Sequence, residues 1–536
     1  MNPIYAIALP MLTGLVTLFW REPSKARRTF VGVSAGLQLL LALTWIGVVY
    51  ASGPRVLPLG NWPAPYGIFL VLDLLAAIML GLSTLTAFAT LLFGFAEQRT
   101  AIENPLRLPL VQFLLVGIHL SFLTGDLFNL FVAFEVMLIA SYALMTLEAD
   151  DWDIKQAVPY LTINLFASAL FLIGCGFTYS LFGTLNFAGI AAAGDQVLAE
   201  HPGLLTALAV LLMLVFCVKA GVFPLYFWLP NSYPVLPTAV AALYAGMLTK
   251  VGVYVLMRLF ATVMPHELTG VHTALAWLAG LTMVFGVLGA VSRNFSRGIL
   301  AFHILSQIGF MVLAIGFFAI PGSDQLPAHY AMAAAIFYII HHIVVKSSLF
   351  MAAGTAARIT GSDDLDLAGH VWRVAPLIGV VFLIQAMSLA GMPPLSGFWG
   401  KYMIITGGME LGRLGSTGAY FLVALSLIAS ILTLFSMLKI WLAAFWSEPA
   451  HVTVDTSRAP WQPMARITFG LVAVSLCIGL GAEGVMTIAF AAAEQTLDQS
   501  AYHAAVYGAE TPLPSVSAPA VDTLAGVSPQ TVNPKP

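Results

Sequence analysis

Apolar runs of about 18 to 28 residues recur along nearly the whole sequence, and each is long enough to cross a bilayer as a helix. Lipid offers no partner for backbone N–H and C=O groups, so segments that enter it at this length are helical. Charged residues make up 9 % of the chain, hydrophobic residues 60 %, and mean hydropathy is +0.92. Soluble domains carry roughly 25 % charged residues. The sequence therefore predicts an all-α polytopic membrane protein with about 14 transmembrane helices. Their expected starts are near Ile4, Phe30, Gly67, Leu108, Leu127, Ala157, Leu204, Thr238, Ala274, Gly298, Ala328, Ala375, Ala419 and Ile467. The opening stretch lacks a basic leader and a clear small-residue cleavage site, and reads as a retained first span rather than a removed signal peptide.

Alternate connections differ sharply in basic residues. One set holds Arg21, Lys25, Arg27, Arg28, Arg99, Arg107, Lys155, Arg293, Arg297, Arg358, Arg373, Arg458 and Arg466, and the other little beyond Arg55 and Arg413. The positive-inside rule places the rich set in the cytoplasm and both termini outside it. A net charge of −3 implies neither an acidic nor a basic partner, and no nucleic acid. No P-loop is present, so direct ATP-driven pumping is not expected. Cys175, Cys217 and Cys477 are scattered among spans without CxxC or Cys/His spacing, so no metal and no cofactor is expected.

One internal echo bears on architecture. "KAGVFPLYFW" at 219–228 resembles "LAGMPPLSGFW" at 389–399, each with Ala-Gly, proline and an aromatic pair. About five spans separate them, and an odd number inverts the second copy relative to the first, as in transporters built from inverted repeats with interrupted helices. Pro224 in one copy, and Pro393 and Pro394 in the other, remove backbone donors and break the helix.

Charge inside the membrane is the second constraint. Lys219, Lys250, Lys346, Lys401, Lys439 and Glu135 all fall within expected spans. A lysine at a helix centre costs about 2.5–3.5 kcal/mol on insertion scales, and such residues face a bundle interior or a wet cavity and often mark an ion path. Lys439 reads equally as a structural or snorkelling residue; for Glu135 the lesser alternative is a protonated structural glutamate. His342 and Lys346 are i, i+4 on one helical face, with Tyr338 a turn earlier. His341 points elsewhere and reads as a packing neighbour. His303 is either a relay or a hydrogen-bonded core histidine. A helix broken at Pro224 beside Lys219, and another at Pro393 and Pro394 beside Lys401, would bring polar backbone and water to each ammonium.

The segments "FNLFVAFEVMLIASYALM", "VKAGVFPLYFWLPNSYPVLPTAVAALYAGMLTKVGVY", "LAFHILSQIGF" and "AGMPPLSGFWGKY", in this order, resemble the antiporter-like membrane subunits of respiratory complex I, membrane-bound hydrogenases and multisubunit cation/proton antiporters. The lysine at 401, the length and the segment 160–191 are most similar to the D subunits of the Mrp-type sodium/proton antiporter branch; the larger A subunits have an extension absent here. The resemblance implies two inverted five-helix repeats, each with a proline-broken helix, and a polar axis at the membrane midplane. Glu135 matches the family glutamate, Lys219 the lysine of the first broken helix and Lys250 that of the next helix. His342 and Lys346 fit the connecting region, and Lys401 matches the second broken helix. The expected organisation is N-terminal membrane helices over 1–107, a first repeat over 108–264, a second over 265–446, a C-terminal membrane helix within 447–500, and a disordered tail over 501–536.

The expected function is that of a proton-translocating subunit, not an enzyme, in a sodium/proton antiporter of the bacterial inner membrane. Protons would follow Glu135, Lys219, Lys250, His303, His342, Lys346 and Lys401, and the partners would be other membrane subunits, the lipid bilayer, H⁺ and Na⁺. Sodium prefers oxygen ligands, as other hard cations do, so a lysine axis suits the proton and leaves sodium to a partner or an interface. The alternative is a proton-pumping subunit of complex I or a membrane-bound hydrogenase, distinguished by redox-cofactor partners.

Overall fold

The structure, a computed structural model, describes residues 2–62, 64, 66–98, 100–318, 325–449 and 461–508. The chain opens with α1 (Tyr5–Phe19), α2 (Lys25–Ser52), α3 (Leu74–Glu97), α4 (Arg107–Leu123), α5 (Leu127–Thr146) and α6 (Asp151–Phe182). A lateral α7 (Phe187–Glu200) follows, then α8 (Pro202–Ala220), the short α9 (Leu229–Ser232), α10 (Thr238–Met257), α11 (Thr269–Ser292), α12 (Ser296–Phe317) and α13 (Gln325–Thr360). The last third holds α14 (Val371–Val374), α15 (Pro376–Ala390), α16 (Ser396–Arg413), α17 (Thr417–Ile440), α18 (Trp461–Leu480), α19 (Ala482–Leu497) and α20 (Gln499–Tyr507).

Polar residues at the span ends start these helices. Ser24, Asp73, Asp126 and Asn186 each accept a backbone N–H of the first turn of α2, α3, α5 and α7, and Asp150 with Asp153 forms a full capping box on α6. Among the described residues eleven helices are long and apolar enough to span a membrane, and α1, α4 and α15 are shorter apolar helices. The apolar windows of α10 and α13 are wholly buried, whereas less than half of those of α2 and α17 is buried. The bundle is therefore organised around α10, α12 and α13.

Three details differ from the sequence reading. Among the described residues the fold is all-α apart from one hairpin, in which β1 (Arg55–Pro58) pairs antiparallel with β2 (Phe69–Leu72), Arg55 opposite Leu72. The helix expected from Gly67 accordingly starts at Leu74, after the Asp73 cap. Within 447–500 the candidate membrane span is α18, and a further helix, α19, follows it after Gly481; both pack against α13. The expected start of the tail at 501 falls inside α20, where Tyr502 is buried; residues 509–536 lie outside the described residues.

Ion pairs and hydrogen bonds group the connections by side. Glu97 pairs with Arg358 at 3.1 Å and Arg107 at 3.8 Å, and accepts the Ala239 N–H at the start of α10. Arg297 pairs with Asp363, and Arg28 with Glu103 at 2.9 Å. All of these belong to the arginine-rich set of connections. At the opposite end Asp73, Arg258, Thr496 and Tyr502 meet. The bundle thus has two separate polar ends.

Candidate functional site

The two interrupted helices are built alike. α8 ends on Gly221 and α15 on Gly391, with φ of 80° and 96°. Only glycine enters that left-handed region without a Cβ penalty. Gly221 N and Val222 N both donate to Cys217 O at 3.0 and 2.8 Å; Gly391 N and Met392 N both donate to Met387 O at 3.1 Å. A tight turn follows in each, Leu225 N to Val222 O and Leu395 N to Met392 O, both 3.0 Å, and the Phe223–Pro224 and Pro393–Pro394 peptide bonds are both cis. Side-chain hydrogen bonds flank each break. Phe223 N donates to Thr282 Oγ1 at 2.9 Å, and the Trp228 indole to Val218 O at 3.2 Å. In the second break Gly397 N donates to Ser388 Oγ at 3.4 Å and the Trp399 indole to Gly479 O at 3.0 Å. Four long apolar helices, α10 to α13, lie between the breaks, so a chain that crosses at each enters the second break in the opposite direction. Pro224, Pro393 and Pro394 are exposed on the surface of the chain.

A lysine sits at the C-terminal pole of each first half-helix. Lys219 lies in the last turn of α8, donates to Ser168 Oγ at 3.2 Å and rests 4.8 Å from the Phe134 ring centroid. Lys401, on α16, donates back to Ala390 O, the last carbonyl of α15, at 3.0 Å and rests 4.7 Å from the Phe310 ring. Both are 4 % exposed. The negative end of a helix dipole and an aromatic face each favour an ammonium where water is scarce. Glu135 on α5 follows Phe134 and is the carboxylate that acts on Lys219, yet Lys219 is bonded to Ser168 rather than ion-paired, and Glu135 Oε1 has no hydrogen-bond partner.

Between these poles lies a buried row of nitrogen bases. Lys250 on α10 donates to Ala245 O at 2.5 Å and to Thr249 Oγ1 at 3.3 Å. Lys346 and His342 face it from α13, and the three act on one another electrostatically. All three are 0 % exposed. The Lys346 ammonium and both His342 ring nitrogens have no protein hydrogen-bond partner. Among the described residues no ion pair holds any of these lysines. His303 on α12 shares a 2.6 Å hydrogen bond with Ser436 and feels the charge of both Lys346 and Lys401. The structure thus brings Lys250, His342, Lys346, His303 and Lys401 into one interacting group, and Glu135 with Lys219 into another. The groups meet where Gly252 lets the α10 backbone approach Ala220 and Lys219 on α8.

Some residues take unexpected parts. His341, read as a packing neighbour, shares a 2.8 Å hydrogen bond with Ser396 at the start of α16, and Ser396 continues to Ser388 at 3.1 Å and Ser475 at 3.2 Å. These serines come from three separate segments, so no spacing in the sequence announced them. Tyr338 donates to Gln307 rather than to His342. Lys439 is a helix cap: it donates to Arg293 O at 2.7 Å beyond the end of α11. Asp126 is engaged as the α5 cap, accepting from Asn129 N at 2.7 Å.

Comparison with known proteins gives the family. Residues 124–433 match the family model described as NADH:quinone oxidoreductase/Mrp antiporter, TM. The D subunit of the Na(+)/H(+) antiporter from Alkalihalophilus pseudofirmus is 41 % identical over 93 % of this chain and 98 % of its own length. Its counterpart from Bacillus subtilis is 36 % identical over 94 % and 98 %. Among solved structures, a chain of the Mrp complex from Dietzia sp. superposes with a TM-score of 0.85 at 29 % identity, covering 94 % of this chain and 99 % of that one. A chain of the archaeal membrane-bound sulfane sulfur reductase gives the same TM-score at 24 % identity, a likeness of fold alone. An integral membrane chain with two matched helix breaks and a buried lysine–histidine row, it belongs to the NADH:quinone oxidoreductase/Mrp antiporter family, alongside the D subunits of the Mrp-type Na⁺/H⁺ antiporters.

Proposed function

We propose that this chain is the proton-translocating subunit of a multisubunit Na⁺/H⁺ antiporter in a bacterial inner membrane, both termini outside the cytoplasm, and that it works with other membrane subunits. Protons pass between Lys219, Lys250, the His342/Lys346 face, His303 and Lys401. The observation that carries this reading is Lys346: an ammonium at 0 % exposure with no hydrogen-bond partner, beside a histidine bonded at neither nitrogen. A purely structural buried charge is paired. Groups that hand a proton on must instead keep a lone pair or an N–H free for water or for each other.

The remaining parts fit around that row. Glu135 tunes Lys219 through charge rather than contact, so its influence rises or falls with small movements of α5 against α8. A cavity of about 380 Å³ opens at the arginine-rich end beside Glu97, Arg297, Arg358 and Asp363, between the start of α10 and the end of α13. It supplies a wet mouth on the two helices that carry Lys250 and Lys346. Among the described residues sodium finds no comparable oxygen cage along the row: Asp126 is spent on its cap and Glu135 is a single carboxylate. Sodium then crosses in a partner or at an interface. Membrane potential drives the exchange at about 2.3 kcal/mol per charge per 100 mV. The redox-pump alternative shares the family model, whereas the relatives at 41 % and 36 % identity are Na(+)/H(+) antiporter D subunits.

The reading is tested by purifying the tagged chain with its partners and reconstituting the complex. Glu135→Ala is expected to assemble and to lose most sodium-driven proton flux. Intact flux in that variant, or co-purifying iron–sulfur or flavin proteins, would overturn it.

A further inference from the structure

Beyond Lys250, α10 carries a polar stripe at four-residue spacing, Lys250, Tyr254, Arg258 and Thr262, which lies along one helical face. The stripe runs to the end of the bundle opposite the wet cavity and closes on itself. The Tyr254 hydroxyl donates to Phe122 O at 2.6 Å and accepts from Arg258 at 3.0 Å. Arg258 grips both carboxylate oxygens of Asp73, at 2.5 and 2.8 Å, while Asp73 also caps α3. The Tyr254 and Tyr502 rings lie 5.4 and 5.8 Å from the guanidinium, and Thr262 donates to Thr496 O at 2.8 Å. Asp73 is 2 % exposed and Arg258 4 %.

This pair is more than a helix terminator. α10 and α17 finish on the same kind of π turn, Arg258–Val263 and Trp441–Trp446, with matching closing bonds, Met264 N to Leu259 O at 2.7 Å and Ser447 N to Leu442 O at 2.8 Å. The turn therefore forms without a charge when tryptophan starts it. At α10 the turn instead places an always-protonated group two helical turns past Lys250 on the same face.

We propose that Asp73 and Arg258 plug the outer end of the Lys250 stripe, so that a proton at Lys250 can move only inward or on to α13. The inference rests on the proposed proton row. A guanidinium cannot accept a proton, and Arg258, gripped by Asp73 with the Tyr254 and Tyr502 rings against it, closes the end of the stripe to water. The Tyr254 proton is already committed to Phe122 O. With the plug closed, the α10 half of the chain has no shortcut between its wet cavity and the far side.

The test is passive proton flux in proteoliposomes holding the whole complex, driven by an imposed potential without sodium. Asp73→Asn keeps the helix cap and the shape but loosens the grip on Arg258. The leak is expected to rise about tenfold, and Lys250→Met in the same chain is expected to return it to the wild-type level. A wild-type leak in assembled Asp73→Asn, or a leak that survives Lys250→Met, overturns the plug. If Asp73→Asn does not assemble, Arg258→Lys, which keeps the charge but loses the two-pronged grip, is read by the same two outcomes. Lys250→Met alone tests the row separately: retained sodium-driven exchange sinks the row, whereas only the leak decides the plug.

Discussion

Gly252→Ala is the smallest change that should uncouple the two groups of charges. Gly252 follows Lys250 by two residues and faces the end of α8. A Cβ there would lie 2.7 Å from Ala220 N and 3.0 Å from both Ala220 Cα and Lys219 C. All three are backbone atoms, so no side chain can turn aside. Ordinary contact begins at 3.4 Å, so α8 and α10 must part by roughly 0.7 Å at the level of Lys219. Overpacking of this kind costs about 1–3 kcal/mol, and the helix-propensity gain of alanine over glycine offsets about 1 kcal/mol of it. The net loss, about 0–2 kcal/mol, should leave the subunit folded. Transfer is more sensitive than stability, because a misplacement of about 1 Å can lower a rate 100-fold. Sodium-driven proton flux in everted vesicles should therefore fall at least about tenfold, with assembly on native gels unchanged. Gly176→Ala and Gly203→Ala, where the added methyl meets nothing within 4 Å, are the controls and should exchange as wild type. Wild-type flux in Gly252→Ala would refute the claim that this contact sets the spacing of Lys219 and Lys250.

Other substitutions separate structural from conducting roles. Lys439→Ala removes the cap on α11 and should lower thermal stability by about 0.5–1.5 kcal/mol while leaving flux per assembled complex intact. Ser168→Ala takes away the Lys219 hydrogen bond, a contact to a charged group worth about 1.5–3 kcal/mol; the pH profile of exchange should shift, and an unchanged profile would remove Ser168 from the account. His341→Phe cuts the link to the Ser396, Ser388 and Ser475 hydroxyls, and should slow flux without dissociating α16. Outside the membrane, the Asp498 carboxyl is held below its ordinary value by the Ala501 N–H and the Ser500 side chain. Its capping of α20 is fully present above the unfolded carboxylate pKa of about 3.9 and is lost only as pH falls through the lower folded value. Amide exchange at Ala501 should stay protected at pH 4, and early loss there would contradict the cap.

Much of this architecture was legible because membrane insertion is an unforgiving filter. Each intramembrane lysine had to have a reason, and Lys219 and Lys401 proved to sit at equivalent poles of two matching breaks. The i, i+4 spacing of His342 and Lys346 survives directly as a shared face of α13. What stayed hidden depends on helices meeting. No pattern near His341 signals Ser475, and no pattern near Lys439 signals the open end of α11. The β1–β2 hairpin was masked because "FLVL" at 69–72 reads as the start of an apolar span until Asp73 is seen to cap α3. Asp73 and Arg258 escaped notice for different reasons: Arg258 lies at the edge of its span, and Asp73 lies inside the span expected from Gly67, where only the structure shows it to be the cap before Leu74.

The central claim is that protons travel through the buried lysine–histidine row. Lys346→Met in the reconstituted complex tests it most directly, since methionine keeps the length of the side chain and removes only the exchangeable group. Loss of sodium-driven proton flux with full assembly is the predicted result; flux at the wild-type rate would mean that protons cross elsewhere.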